Sequence, residues 1–412
     1  MAAEATLSTP PTLTSLRAEM QDELVTRILP YWMHEALDER NGGFAGLILD
    51  DGSVLADAPK GSILNARILW TFSAAFRALG GTELRATADR AASYLSAHFL
   101  DPVHGGVYWM VDATGKPTDD RKHVYAQAFA IYALAEHYRA TGDEASLVRA
   151  IDIFQLIETH GHDLVFGGYE EAFSRDWFVL ADARLSAEDV DASKSMNTHL
   201  HLLEAYTTLF RVWPDPLLRT RLEQLAELFV TTIVGEDQHA HQFFDGDWTP
   251  VGGNSMVSYG HDIEASWLLL AAADALESPD LRDRVKDVAT RLAASALDEG
   301  MDAEQGGLFN GTDAAGVLDT DKEWWPQAEA IVGFLNAFIE TGDDAYLDAT
   351  HATWAFTRRF VRDLEHGEWH RRVSRDGRVR AGREKVGPWK CPYHNARACL
   401  EVIARIDARG TA

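Results

Sequence analysis

HGGVYWMVDATGKPTDDRKHVYAQAFAIYALAEHYRATGDEASLVRA, His104–Ala150, holds one complete structural unit. It opens with two glycines among aromatic and β-branched residues, the composition of a tight β-rich loop. HVYAQAFAIYALAEHY (His123–Tyr138) follows and is apolar almost all round. Such a run reads as a helix buried on every side. The chain then turns on Thr141-Gly142-Asp143, with glycine closing one helix and acidic residues opening the next.

The unit recurs. The loop signal returns as NGGFAGLI (Asn41–Ile48), FGGYEEAF (Phe166–Phe173), FFDGDWTPV (Phe243–Val251), QGGLFNG (Gln305–Gly311) and HGEWHRRV (His366–Val373). Its glycines at 43, 106, 168, 246, 307 and 367 are spaced 63, 62, 78, 61 and 60 residues apart, so the one long gap carries an insertion, near Leu180–Asp191. The turn signal also repeats, and FIETGDDAYLDA (Phe338–Ala349) copies YRATGDEASLVRA (Tyr138–Ala150). Helices that follow a loop are expected to begin near Ser62, Lys122, Lys194, Ser258, Glu323 and Pro392. Those that follow a tight turn are expected near Thr82, Asp143, Asp215, Pro279 and Asp343. An opening helix, Thr14–Leu37, makes twelve. The helices after the turns, such as TELRATADRAASYLSAHF, keep one polar face. Six apolar helices inside six amphipathic ones define an all-α (α/α)6 barrel with short β-hairpin loops at one end. An open solenoid is the competing architecture. A single catalytic domain over residues 1–412 is expected, with 1–13 flexible.

Polar groups sit at one phase of this repeat, the starts of the inner helices. They are Asn65 and Arg67; Tyr125 and Gln127; Asn197, His199 and His201; His261 and Glu264; Trp324, Trp325, Gln327 and Glu329; and Trp389, Tyr393, His394 and Asn395. In a closed barrel they converge on one polar pocket. Asn197, His201 and Glu204 share a helix face, whereas His199 points elsewhere and reads as a core or supporting residue. His261 and Glu264, three apart, can touch, and a carboxylate beside an imidazole raises its basicity and fixes its tautomer. The tryptophans suit stacking on the C–H faces of a sugar ring. Arg67 suits an oxyanion or hydroxyl clamp, with a structural ion pair as the alternative. No HExxH and no cysteine-rich pair is present, so metal catalysis is not expected. Cys391 and Cys399 read as packing residues.

The chain has 412 residues, 46% of them hydrophobic, and a net charge of −26. That charge disfavours nucleic acid and anionic lipid and suits a neutral substrate. Two cysteines and no apolar leader or spanning run point to a reduced, cytoplasmic protein without a membrane partner.

MNTHLHLLEAY, YGHDIEASWLL, EWWPQAEA and GPWKCPYHNARACLE together resemble the cellobiose 2-epimerase branch of the N-acylglucosamine 2-epimerase family, over about Thr14 to Asp407. The resemblance implies the (α/α)6 barrel and cofactor-free inversion at C2 of a reducing-end sugar. It implies His261 as general base, His394 as the acid/base opposite it, and His201 as the third imidazole, for ring opening and proton shuttling. It implies sugar-contacting or orienting roles for Arg67, Tyr125, Asn197, Glu264 and Trp389, and stacking by Trp324 or Trp325. Glu329 is added as a binding candidate from its place in the repeat. KCPYHN departs from the N-acylglucosamine epimerase pattern, which argues against that substrate. Related members act on free mannose, as 2-epimerases or as aldose–ketose isomerases, and that is the alternative function. An inverting glycosidase would need two separated carboxylates, with Glu264 and Glu329 as candidates. A non-catalytic sugar-binding protein is the third option. A monomer or weak homodimer is expected.

Overall fold

The computed structural model describes residues 12–186, 190–251 and 256–410. Most of the expected flexible start, and the centre of the insertion, fall outside those residues. Twelve helices are present among the described residues. The outer ones are α1 (Leu13–Glu23, continued through the π-helical turn Leu24–Ile28 into Leu29–His34), α3 (Thr82–Tyr94), α5 (Glu144–His160), α7 (Pro216–Leu228), α9 (Pro279–Ser295) and α11 (Asp344–Phe356). The inner ones are α2 (Ser62–Leu79), α4 (Val124–Thr141), α6 (Met196–Phe210), α8 (Tyr259–Leu276), α10 (Trp324–Thr341) and α12 (Tyr393–Gly410). Every start lies within two residues of its expected place. The turns work by the chemistry that the sequence displays. Gly142 closes α4 in the left-handed region at φ 75°, and the Asp143 side chain accepts the Ser146 N–H at the start of α5. Tyr125 to His137 of α4 is buried without a break, as an inner helix requires.

Short strands settle closure against solenoid. The strand entering each inner helix pairs, antiparallel, with the loop of the next unit. Lys60–Gly61 pairs with Met110–Val111, Lys122–His123 with Ala172–Phe173, and Lys194–Ser195 with Phe243–Phe244. Val257–Ser258 pairs with Gly311–Thr312, and Lys322–Glu323 with Arg372–Val373. The sixth pair joins Glu384–Val386 back to Ile48–Leu49, so the ring is closed.

Two anchors hold these loops to the inner helices. The first is a buried ion pair within a unit: Lys60–Asp38 at 2.7 Å, Lys122–Asp101 at 3.1 Å, Lys194–Asp163 at 2.6 Å, Lys322–Asp302 at 3.0 Å and Lys385–Asp363 at 2.5 Å. The fourth unit has none, because Val257 and Gly235 stand at the corresponding places. The second is a side chain at the fourth position of an inner helix that accepts a loop N–H. Gln127 takes it from Val107 (2.7 Å), Gln327 from Leu308 (2.8 Å), and His199 from Tyr169 (2.9 Å). A Cβ on Gly106, at φ 68°, would lie 2.7 Å from the Gln127 Oε1, so glycine there is required twice over. No helix among the described residues is long and apolar enough to cross a membrane.

Candidate active site

The first turns of all six inner helices face one end of the barrel. There a cavity of about 400 Å³ is lined by Arg67, Tyr125, Asn197, His201, His261, Glu264, Trp324, Trp325, Trp389 and His394. Ten of the eleven residues picked from sequence therefore meet. The eleventh, Glu329, lies beneath the wall: it accepts from His394 Nδ1 at 2.7 Å and from Trp267 Nε1 at 3.2 Å. Its expected contact with substrate is replaced by a hold on His394.

The floor centres on Arg397, 0% exposed. Its guanidinium binds Glu329 at 2.7 Å, and also Glu204, Glu264 and the Tyr393 hydroxyl. Glu204 in turn accepts from His201 Nδ1 at 2.9 Å. Two imidazoles are thus each aimed by a carboxylate tied to one guanidinium. His261 is held differently. It does not bond Glu264, contrary to the i, i+3 expectation, because that carboxylate is drawn to Arg397. Its Nδ1 is buried without a partner, and its ring lies 4.8 Å from Trp325, which is also 5.7 Å from His394.

Arg67 is 3% exposed. It donates to the Tyr125 hydroxyl at 2.9 Å and to the Trp389 carbonyl at 3.5 Å, and its Nε has no partner. None of its described bonds goes to a carboxylate, so the structural ion pair named as the alternative is not formed. His199 is a core residue, holding the Tyr169 N–H on Nε2 and the Ser195 carbonyl on Nδ1. Cys391 and Cys399 are buried and free.

Burial, and next the nearby His201, brings His261 down to about 3. Burial, then the charges of Arg67 and Arg397, holds His394 well below its ordinary value. Both imidazoles are therefore neutral at neutral pH, the form that removes a proton. Burial alone would raise Glu204, but Arg397 and the bond from His201 take it down to about 2. Glu264 goes the other way: burial and the charge of Glu329 lift it to about 7 against the pull of Arg397. Ligand atoms of Glu264, Glu329 and His394 lie within 4.8 Å of one another. Arg397 binds both of those carboxylates, however, and His394 Nδ1 already faces Glu329, so this donor set is engaged and does not fit a metal ion.

Sequence reasoning missed Arg397 and the mouth of the cavity. Arg397 was traceable: it follows His394 by three residues and so shares its helix face. The mouth residues Leu185, Ser186, Glu323 and Arg371 come from loops and a helix cap, where no helical period marks them.

The pocket at the head of this (α/α)6 barrel, lined by three imidazoles, an arginine and tryptophans, has the character of a sugar site, and comparison gives the class of protein. Residues 42–398 match the model of the N-acylglucosamine 2-epimerase (GlcNAc 2-epimerase) family, and the chain belongs to that family. It is 46% identical to the cellobiose 2-epimerase of Bacteroides fragilis over 389 residues, which cover 94% of this chain and 98% of that one. The solved cellobiose 2-epimerase of Bacillus thermoamylovorans superposes with a TM-score of 0.91 at 41% identity, covering 95% of this chain and 100% of the other. A D-mannose isomerase, 23% identical, shares the fold with a TM-score of 0.84 over 97% of this chain and 100% of its own. The chain is a carbohydrate epimerase.

Proposed function

We propose that the protein interconverts the glucose and mannose configurations at C2 of the reducing-end residue of β-1,4-linked disaccharides such as cellobiose and lactose. One observation carries this: two imidazoles held neutral by their surroundings, His261 and His394, both packed against Trp325 in the cavity that also holds Arg67. Ring opening, assisted by His201, exposes the C1 aldehyde. One imidazole takes the C2 proton, and the C–H electron pair becomes the C1–C2 double bond of a cis-enediolate with its charge on oxygen. The opposite imidazole, charged beforehand with a solvent proton passed on by His201, gives that proton to the other face of C2 as the carbonyl re-forms, and the proton left on the first imidazole is released to solvent. Each proton transfer contributes about 10²–10⁴ in rate. Low basicity in the buried site makes each imidazolium, once formed, a strong acid, which suits the return step.

The enediolate oxygen needs positive charge in a dry site. Arg67 supplies a full charge with no carboxylate to neutralise it. The six inner helices add the partial positive charge of their N-termini, all facing this cavity. Asn197 Oδ1 and Trp324 Nε1 are buried without partners and offer hydrogen bonds to sugar hydroxyls.

The test is turnover in D2O with cellobiose, lactose, mannose and glucose side by side. The expected product is the C2 epimer of the disaccharide, carrying deuterium at C2. Ketose as the only product would overturn epimerisation in favour of an aldose–ketose isomerase. Turnover of mannose or glucose but not of disaccharide would move the substrate to monosaccharides.

A further inference from the structure

Five units lock their loop with a buried Lys–Asp ion pair. The fourth unit, which carries His261, lacks both partners of that lock and uses a different one. Asp262, 0% exposed, stands at the fourth position of α8, where other units place Gln127, His199 or Gln327. Its Oδ1 accepts the Ala240 N–H at 2.8 Å, the counterpart of the Val107 N–H held by Gln127. Its Oδ2 takes His239 Nδ1 at 2.7 Å. The far side of the His239 ring faces Glu299, Nε2 to carboxylate 3.4 Å, and Tyr259 packs 6.2 Å away. Asp237, in the same loop, completes the charged surroundings.

We propose that His239 is a positioning residue for His261: charged, it clamps the first turn of α8 through Asp262, and discharged it lets that turn loosen. The inference rests on the acid/base role of His261 given above. His261 directly precedes Asp262, and its own Nδ1 has no partner. Its aim therefore depends on the backbone of that turn and on the Trp325 ring, not on a carboxylate such as those that hold His201 and His394. The anchor one residue away ties this turn to its loop through both a backbone N–H and the His239 ring.

The direction of the pH dependence follows. Burial would lower His239, but the bond to Asp262, then the charges of Asp262, Glu299 and Asp237, bring it above its ordinary 6.5. Burial also pushes Asp262 up, and His239 opposes that. A histidine raised on folding contributes fully below its unfolded value, and the contribution fades as pH rises through its folded value. The clamp is therefore tight in mild acid and loosens toward alkaline pH.

Two variants test this. Lysine, whose ordinary value is about 10.4, keeps a cation opposite Asp262 at higher pH than an imidazole does, and repeats the lysine–aspartate pairing of the other five locks. kcat/KM of the unaltered protein is expected to fall as pH rises beyond the ordinary histidine value of 6.5, toward alkaline pH. His239→Lys is expected to remove that fall, and His239→Gln to lower kcat/KM about 10-fold, by misplacing the imidazole, with the fall absent. The same alkaline fall in His239→Lys would overturn the proposal. A second readout needs no turnover: amide exchange of Ala240 and the start of α8, measured against Val107 and the start of α4. Exchange in the fourth unit should accelerate relative to the second as pH rises, and should not in His239→Lys. Equal pH dependence of the two units would sink the proposal even if no sugar is epimerised, an outcome that would by itself overturn only the functional reading.

Discussion

Glu264 and Glu204 share one guanidinium and pay opposite consequences of being buried beside it. Glu204 has His201, Tyr393 and Arg397 on its two oxygens, and is lowered on folding from 4.5 to about 2. Its stabilisation is present above its unfolded value and is lost as pH falls through about 2. Glu264 is raised from 4.5 to about 7, so between those values the folded protein holds a proton that the unfolded chain has released. Stability must therefore fall as pH rises across that window, by about 3 kcal/mol at most for a shift of this size. Glu264→Gln, which cannot ionise, is expected to flatten the decline of the melting temperature between mild acid and neutrality. A slope equal to that of the unaltered protein would show that Glu264 is ionised throughout. The residue scale is also where sequence and structure part. His201, His261 and Arg67 were legible because each interrupts an otherwise apolar helix, and His394 because it falls at the same phase of the repeat. The partnership of His261 with Glu264 was read from spacing alone and failed, since spacing says which groups can meet but not that a third group, Arg397 from α12, outbids one of them. Glu329 was picked from its place in the repeat, and that place does not report how deep a side chain lies: it sits behind the cavity lining, on His394 and Trp267.

At the scale of the element, loop and inner helix act as one piece, and the lysines make them so. Lys322 is wholly buried, with its ammonium on Asp302 at 3.0 Å and on the Gly306 carbonyl, and Arg375 closes over the same carboxylate at 2.7 Å. Removing one partner of such a pair leaves a buried charge behind and costs about 3–5 kcal/mol, whereas removing both costs far less. Lys322→Met is expected to lower stability by about that amount in a denaturant titration, moderated by Arg375. Lys322→Met with Asp302→Asn is expected to recover part of the loss. Failure of the double variant to recover any would mean that the pair is worth more than its desolvation. Helices were readable to within two residues because burial imposes a period on them and caps end them. The lysines were not, because each stands alone in a strand of two or three residues such as Lys60–Gly61 or Lys122–His123. A strand that short has no pattern, and a lysine is by default a surface residue.

For the whole molecule the decisive fact is that the last unit returns to the first. Sequence could count six units and note a finished last helix, but the meeting of Glu384–Val386 with Ile48–Leu49 joins residues more than three hundred positions apart, and no local signal reports such a contact. The same seam brings α12 against both α1 and α2, and Arg17 reaches Asp407 at 2.8 Å across it. A solenoid tolerates loss of a terminal repeat, since each unit contacts only its neighbours. A closed ring does not, because removing one inner helix uncovers the flanks of two others. Deleting residues 393–412 takes away α12, and with it His394 and the Arg397 hub that ties three carboxylates from α6, α8 and α10. Those carboxylates would be left buried and uncompensated, a cost of several kcal/mol before any lost packing is counted, against a total stability of about 5–15 kcal/mol for a typical domain. The truncated chain is therefore expected to lose its cooperative thermal transition and bind a hydrophobic dye, rather than to persist as a folded but inactive barrel. A single sharp melt close to that of the full chain would show that five inner helices suffice, and that the seam serves the site alone.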